Sequence, residues 1–393
     1  TDAYANAPNC APTRAALMSG QYAPRTGIYT VNSSARGKAK HRRLIPTKNK
    51  VVLDDECVTL AEAFQAAGYV TACMGKWHLG PDPTTQGFDV NVGGSQWGHP
   101  KRYHSPYGNP DLEDGPEGEY LTDRLGAEAA RFIGEHREQP FFLYLPFYAV
   151  HTPIQPREDL KTFYGEQEGQ HHVGYAAMVT AMDQAAGRVL AALEEHGLAQ
   201  DTLVVFFSDN GGHARFTDMA PLRGSKGELF EGGVREPLIV RWPGRVAPGR
   251  VSEVPQIGID LYPTLCAAAG VALPDGKVLD GVDLVPYWTG GPAPDREALY
   301  FHFPAYLEGS SKGHGRWRLT PSGAVRAGRW KLIERFEDGS LELYDLVADI
   351  GEAHDRSGEQ PEVTARLHGL MKRWRAEVGA PVPRDLNPEF EGE

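Results

Sequence analysis

The 393-residue chain has only four cysteines, and their positions (Cys10, Cys57, Cys73 and Cys266) form neither a disulfide framework nor a zinc-ligand pattern. It has no run of about 18 apolar residues, so no helix spanning a membrane is expected. Positive charge is also in deficit. Forty Lys and Arg stand against 52 Asp and Glu, a net charge of −12, which argues against nucleic acid as a partner. An anionic substrate stays open, because a binding site needs only local positive charge. The opening residues Thr-Asp-Ala-Tyr-Ala-Asn contain neither a basic start nor an apolar stretch, so no leader peptide is visible. The expectation is an exported, periplasmic or secreted protein whose signal is removed or whose beginning lies upstream.

What is present is the composition of an ordinary soluble globular protein, 41% hydrophobic and 23% charged. The length fits one large domain and a smaller one. Apolar runs at 69–74, 141–147, 202–207 and 237–242 alternate with helical patterns at 58–67, 121–136 and 173–196, the signature of a layered α/β fold. After Gly290-Gly-Pro-Ala-Pro294 the alternation gives way to shorter strands. Residues 324–336 and 341–346 read as a hairpin turned at Asp338-Gly339, and 361–378 as an amphipathic helix with Leu367, Leu370, Met371 and Trp374 on one stripe. A domain boundary is expected near residue 295. The one strongly basic run, 38–50, reads as a solvated loop or as a rim attracting an anion.

Chemistry-bearing residues gather where the apolar runs end. The first run leads into Gly75-Lys-Trp-His-Leu-Gly80, the second into Tyr148-Ala-Val-His-Thr-Pro153, and the third into Ser208-Asp-Asn-Gly-Gly-His213. In α/β sheets the functional crevice lies outside the carboxyl ends of the strands. Three such ends here present Lys76 and His78, then His151, then Asp209 and Asn210. The segment Asn9-Cys-Ala-Pro-Thr-Arg-Ala-Ala-Leu-Met-Ser-Gly20 has Pro in the first turn and Gly at the stop of a helix. Cys10 is expected just ahead of its N-terminus, where free N–H groups and the helix dipole favour an anion, with Arg14 able to turn back to the same spot. A buried structural cysteine is the other reading of these residues.

Cys10-Ala-Pro-Thr-Arg14 resembles the Cys-x-Pro-x-Arg signature of type I sulfatases, and the run that follows resembles its usual continuation. Gly75-Lys-Trp-His-Leu-Gly80 is similar to the family's second signature. His151-Thr-Pro, Asp209-Asn-Gly-Gly, Lys226 ahead of Glu231-Gly-Gly-Val-Arg-Glu-Pro237, Gly328–Ile333 and Glu342–Leu346 resemble later landmarks in order, over nearly the whole chain. The resemblance implies an alkaline-phosphatase-like α/β/α sandwich built on a large mixed sheet (1–295) with a smaller C-terminal α+β subdomain (296–393). It also implies that a formylglycine-generating enzyme oxidises Cys10 to an aldehyde. The hydrated aldehyde is a gem-diol, one hydroxyl of which attacks sulfur to give a covalent sulfo-enzyme; the second then expels sulfate. By the same resemblance Arg14 and His78 serve the diol, Lys76 and Lys226 bind sulfate oxygens, and His151 is the general acid for the leaving alcohol, with His213 as competitor. The resemblance also implies that Asp209 and Asn210 bind a divalent cation, calcium with magnesium as the alternative, since all the donors are oxygens.

The family pattern also includes a strand ending in two adjacent metal-binding aspartates ahead of the cysteine, and only nine residues precede Cys10 here. Asp54-Asp55 is a weak substitute, since it reads as helix entry. The loop 97–107 offers Trp97, Tyr103 and Tyr107 for stacking with Arg102 and His104 as polar contacts, a mixture suited to a sulfated saccharide. Two rival functions remain: a phosphonate monoester or phosphodiester hydrolase using the same modified cysteine, and a metal-deficient, non-catalytic saccharide-binding remnant.

Overall fold

Runs rich in β-branched and aromatic residues fit the pleated, half-buried surface of a sheet, and each of the four predicted runs contains a strand. The computed structural model describes residues 2–165, 172–309 and 315–392. Val70–Met74 is the middle strand of a parallel three-stranded sheet, flanked by Val90–Val92 and Phe141–Tyr144. Phe141–Tyr144 stops short of the predicted 147 because Pro146 has no N–H for a ladder. The Pro146 carbonyl instead accepts the Lys76 backbone N–H at 2.7 Å. Val204–Phe207 pairs antiparallel with Leu238–Arg241, and Ala3–Tyr4 pairs parallel with Gln256–Ile257.

Side chains alternate across these strands and sort the helices into two layers. Cys73, Phe142 and Tyr144 pack with Ala11, Ala15 and Met18 of helix Cys10–Ser19, with Leu60 and Phe64 of helix Leu60–Ala66, and with Tyr262 and Cys266 of helix Leu261–Ala269. On the opposite face Ala72, Met74, Phe141 and Leu143 pack with Ala129 and Phe132 of helix Leu121–Glu135. That helix lies against Val173–Glu195 so closely that a Cβ on Gly126 would sit 2.9 Å from the Ala185 methyl. The result is the expected α/β/α sandwich. Helix 60–66 begins later than the pattern predicts because Thr59 caps it. Its hydroxyl accepts the Glu62 N–H at 3.1 Å while the Glu62 carboxylate accepts the Thr59 N–H at 2.6 Å.

The C-terminal region holds a four-stranded antiparallel sheet, ordered Leu341–Asp345, Trp330–Arg335, Ser322–Ala327, Leu299–Phe303. Residues 324–336, expected as one strand, are two strands reversing at Gly328-Arg329. Gly328 has φ +58°, and Ala327 pairs with Trp330. Helix Pro361–Val378 places Leu367, Leu370 and Met371 against this sheet. Trp374 joins a further core in which Tyr4, Ala16 and Phe230 meet Phe301, Phe303 and Tyr344, so the two regions share buried surface.

The sandwich's own strands fall into three hydrogen-bonded groups among the described residues. Phe141–Tyr144 and Val204–Phe207 each have one edge without a ladder partner. All four residues of the first are only half-buried, and in the second pair Phe206 is 38% and Ile239 62% exposed.

Candidate active site

Cys10 is the first residue of its helix rather than just ahead of it; Asn9 is the N-cap, with extended backbone and no side-chain cap. Thr13 ties the turn down, donating to Ala7 O at 3.1 Å and accepting the Ala7 N–H. The thiol is 2% exposed. Burial by itself raises its pKa, but the charges of Lys76 and Lys226 and a hydrogen bond from His78 more than offset this, holding it well below the ordinary thiol range. The three groups arrive from two different loops.

Lys76 and His78 follow strand Val70–Met74 on a turn that only glycine can start. Gly75 has φ +117°, and a Cβ there would lie 2.3 Å from Pro146 O. Lys76 is 3% exposed, and that burial lowers its pKa. His78 holds φ +65°, an unusual conformation for a non-glycine residue; its backbone N–H donates to Ser95 O at 2.9 Å. Lys226 is fixed through its backbone. Its N–H donates to Gly212 O at 2.9 Å, its carbonyl accepts from Arg318 at 2.8 Å, and the Gly227 N–H donates to Pro8 O at 2.7 Å, beside Cys10.

Arg14 links the carboxyl ends of strands Phe141–Tyr144 and Val204–Phe207. Its guanidinium donates to the Tyr144 hydroxyl at 3.3 Å and to Lys76 O at 2.6 Å, and pairs with Asp209 at 2.6 and 2.8 Å. Burial raises the Asp209 carboxyl, yet Arg14, Lys76 and Lys226 together hold it well below the usual carboxylate range. Asn210 Oδ1 is buried and finds no donor among the described residues. The orphaned amide oxygen beside a carboxylate suits a hard cation, but calcium or magnesium takes about six to eight oxygens. Among the described residues no three His, Cys, Asp or Glu converge, and Asp209 is committed to Arg14. The residues present do not fit the ion. Asp54 and Asp55 are no substitute, since Asp54 pairs with Lys50 and Asp55 accepts from Gln86 at 2.9 Å.

His151 Nδ1 lies 3.0 Å from Thr152 O. Burial, reinforced by Lys226 and Lys76, pushes its pKa down to about 2, so the imidazole is neutral. His99 stacks on it, centroids 5.8 Å apart and planes 15° apart, and a Cβ on neighbouring Gly98 would come within 2.5 Å of the His78 ring. The 97–102 loop therefore covers both histidines. Its rim presents Trp97, half-buried with the Lys101 ammonium 4.5 Å over its ring, and exposed Arg102.

Other parts of that loop turn inward. Tyr103 and Tyr107 are at most 1% exposed, with hydroxyls spent on Tyr148 O and the Glu119 carboxylate, so neither is free to stack on a sugar. His104 faces carbonyl oxygens with both ring nitrogens, at 3.4 Å to Gly118 and 3.2 Å to Pro156. These contacts brace the loop, and His104 also lines a cleft with Ile154, Pro156 and His172. His213 is half-buried against Phe216, ring centroids 5.3 Å apart. In the basic run, Lys40 pairs with Glu391 and Arg42 binds three carbonyls of residues 35–37, which is loop scaffolding.

The family model described as sulfatase matches residues 1–271. The chain belongs to the sulfatase family. A second model, the C-terminal region of N-sulphoglucosamine sulphohydrolase, matches residues 225–377. A sulfatase of Formosa agariphila is 34% identical, over 95% of this chain and 80% of its own length. The N-acetylgalactosamine-6-sulfatase of Canis lupus familiaris is also 34% identical, over 81% of this chain and 65% of its own. The chain thus spans under two thirds of that enzyme's length. Among solved structures, Ps i-CgsB in complex with k-i-k-neocarrahexaose superposes with a TM-score of 0.78 at 28% identity, covering 95% of this chain and 83% of that one. Sulfatases are sulfuric ester hydrolases, and the alkaline-phosphatase-like sandwich is their fold.

Sequence reasoning missed three participants. Tyr144 ends an apolar strand and reads as core; His99 carries no motif; Arg318 is distant in sequence from everything it supports.

Proposed function

We propose that the chain hydrolyses a sulfate ester on a sulfated carbohydrate. The observation that carries this is the convergence on Cys10, at a helix N-terminus, of Lys76, Lys226 and His78. With Cys10 oxidised to formylglycine, the hydrated aldehyde supplies one hydroxyl to attack sulfur and a second to release sulfate. Lys76 and Lys226 bind the sulfate oxygens and offset the negative charge that grows on them. His78 takes the proton from the residue-10 hydroxyl, and Arg14, beneath it, holds Asp209. His151 donates to the leaving alcohol oxygen. Its pKa of about 2 comes from burial and the two lysines; a bound sulfate offsets both lysines and favours the protonated ring.

The saccharide lies over Trp97, His99, Lys101 and Arg102, with His213 and His104 as further polar contacts. The neighbour seen with k-i-k-neocarrahexaose supports a saccharide here. A divalent ion, calcium by the chemistry of Asp209 and Asn210, needs further carboxylates that no described residue supplies. We read the chain as two domains meeting near residue 295, exported to the periplasm or beyond and matured by a formylglycine-generating enzyme. Among the described residues no helix is long and apolar enough to cross a membrane. The sulfatase relatives weigh against the phosphonate hydrolase and against the non-catalytic remnant, although the incomplete ion site is what the remnant reading would also show.

The test is peptide mass spectrometry on active protein together with the Cys10→Ala variant. The expected result is an aldehyde in place of the thiol and no turnover by the variant. Unmodified cysteine in an active preparation, or activity in Cys10→Ala, overturns the mechanism.

A further inference from the structure

The segment 223–235 carries Lys226 and backs the Asp209–Asn210 turn, yet it is clamped from behind by the C-terminal sheet. We propose that the buried cluster Lys331–Glu231–Glu352, together with Arg318, is a positioning device that sets Lys226 and the Asp209–Asn210 turn for sulfate binding. The proposal rests on the sulfatase reading of the pocket.

Lys331, Glu231 and Glu352 are each 0% exposed. The ammonium of Lys331, on strand Trp330–Arg335, pairs with Glu231 at 2.9 Å and with Glu352 at 3.0 Å. The second oxygen of Glu231 accepts the Tyr4 hydroxyl at 2.8 Å, and that of Glu352 accepts the Glu231 backbone N–H at 2.6 Å. Burial opposes the charge on Lys331, but the two carboxylates outweigh it and hold its pKa above the ordinary lysine value. Arg235 pairs with Glu231 at 3.5 Å and with Asp2 at 2.6 Å, and Arg326 reaches Asp2 at 3.8 Å, so three cations face three carboxylates. A well-packed apolar core would be as stable as such a cluster, or more so. What the charges add is geometry.

That geometry passes to the pocket through backbone alone. Glu231 opens the short turn Glu231–Val234. A Cβ on Gly233 would lie 2.1 Å from Glu228 O and 2.6 Å from Ser225 O, on either side of the Lys226-Gly227 step; one on Gly211 would lie 2.0 Å from Gly232 O. The Gly211 N–H donates to Gly233 O at 3.1 Å, next to Asn210. The nearest atoms at both contacts are backbone, so a shift of the turn passes directly to either loop. Arg318 completes the clamp by donating to Lys226 O at 2.8 Å.

The experiment is calorimetric titration of the folded protein with inorganic sulfate, alongside kcat and KM on a sulfate ester and the Tm of each variant. Lys331→Met leaves two buried carboxylates and is prone to misfold, so Glu352→Gln and Arg318→Met carry the test, with Arg318→Lys as the conservative rescue. The expected result is a roughly tenfold weaker sulfate Kd and higher KM in both variants while they remain folded, with partial recovery in Arg318→Lys. Variants that lose Tm but keep the wild-type sulfate Kd and KM overturn the proposal and leave the pocket reading intact. Wild type that binds no sulfate overturns the pocket reading itself, and the positioning role with it.

Discussion

A histidine with a pKa of about 2 is an unpromising acid, and the pocket resolves this through what it binds. His151 is neutral because burial first, and then two lysine charges, oppose its proton; on the proposed mechanism a sulfate seated between those lysines offsets the lysines' share. The sign follows: in the free enzyme its ionisation lies below the working range, and in the complex it moves up. kcat/KM reports the free enzyme and kcat the complex. The alkaline loss of His151's proton should therefore appear in the kcat profile, at a pKa well above 2, with no matching His151 limb near pH 6 to 7 in kcat/KM (a window taken from the ordinary histidine value). His151→Ala should cost about 10²–10⁴-fold on a sulfated sugar, whose alkoxide leaves poorly, and much less on an aryl sulfate. Equal losses on both esters would pass the acid role to His213.

At the scale of elements, the strand ends were legible and the loops between them were not. An apolar run closed by glycine and charge fixes where a strand delivers its residues, which is why Lys76, His78, His151 and Asp209 could be named from sequence. Loop 97–107 shows the limit. Aromatic and basic residues alternate there, but burial of Tyr103 and Tyr107 comes from distant partners such as Tyr148 O, and no local pattern encodes it. The Gly328 turn was encoded and overlooked, since one glycine inside an apolar run is weak punctuation. Two glycines separate local from catalytic effects. Gly75→Ala must leave a positive φ and meet a carbonyl, so it should cost at least about 1–3 kcal/mol of stability as well as activity. Gly98→Ala lies on the rim loop, where the atoms nearest a new Cβ belong to the His78 ring. Its kcat should fall with little change in Tm, and calorimetry beside kinetics on the two variants decides this; a large Tm loss in Gly98→Ala would show the loop to be structural.

At the scale of the whole molecule, the free edges of Phe141–Tyr144 and Val204–Phe207 among the described residues and the incomplete ion site are one observation. Phe141–Tyr144 and Val204–Phe207 both run toward Arg14, and the charge paired directly with Asp209 is that arginine, with Lys76 and Lys226 adding to it from further off. A divalent ion brought to Asp209 would have to displace the guanidinium and find its remaining oxygens from solvent. Residues 1–393 by themselves should therefore bind calcium weakly. A ligand that favours the folded state at ten times its Kd stabilises by about 1.4 kcal/mol, from RT ln(1 + [L]/Kd), equivalent to a Tm shift of at least about 1–2 °C for a protein of this size. Millimolar calcium should leave Tm within that margin, and elemental analysis after dialysis should find far less than one ion per chain. Arg14→Ala sharpens the measurement. With the guanidinium gone, Asp209 loses its largest neutralising charge, and calcium, if the turn is an ion site at all, should then raise the variant's Tm more than the wild type's. A wild-type shift of several degrees, or near-stoichiometric metal, would mean that the ion finds ligands other than Asp209 and Asn210.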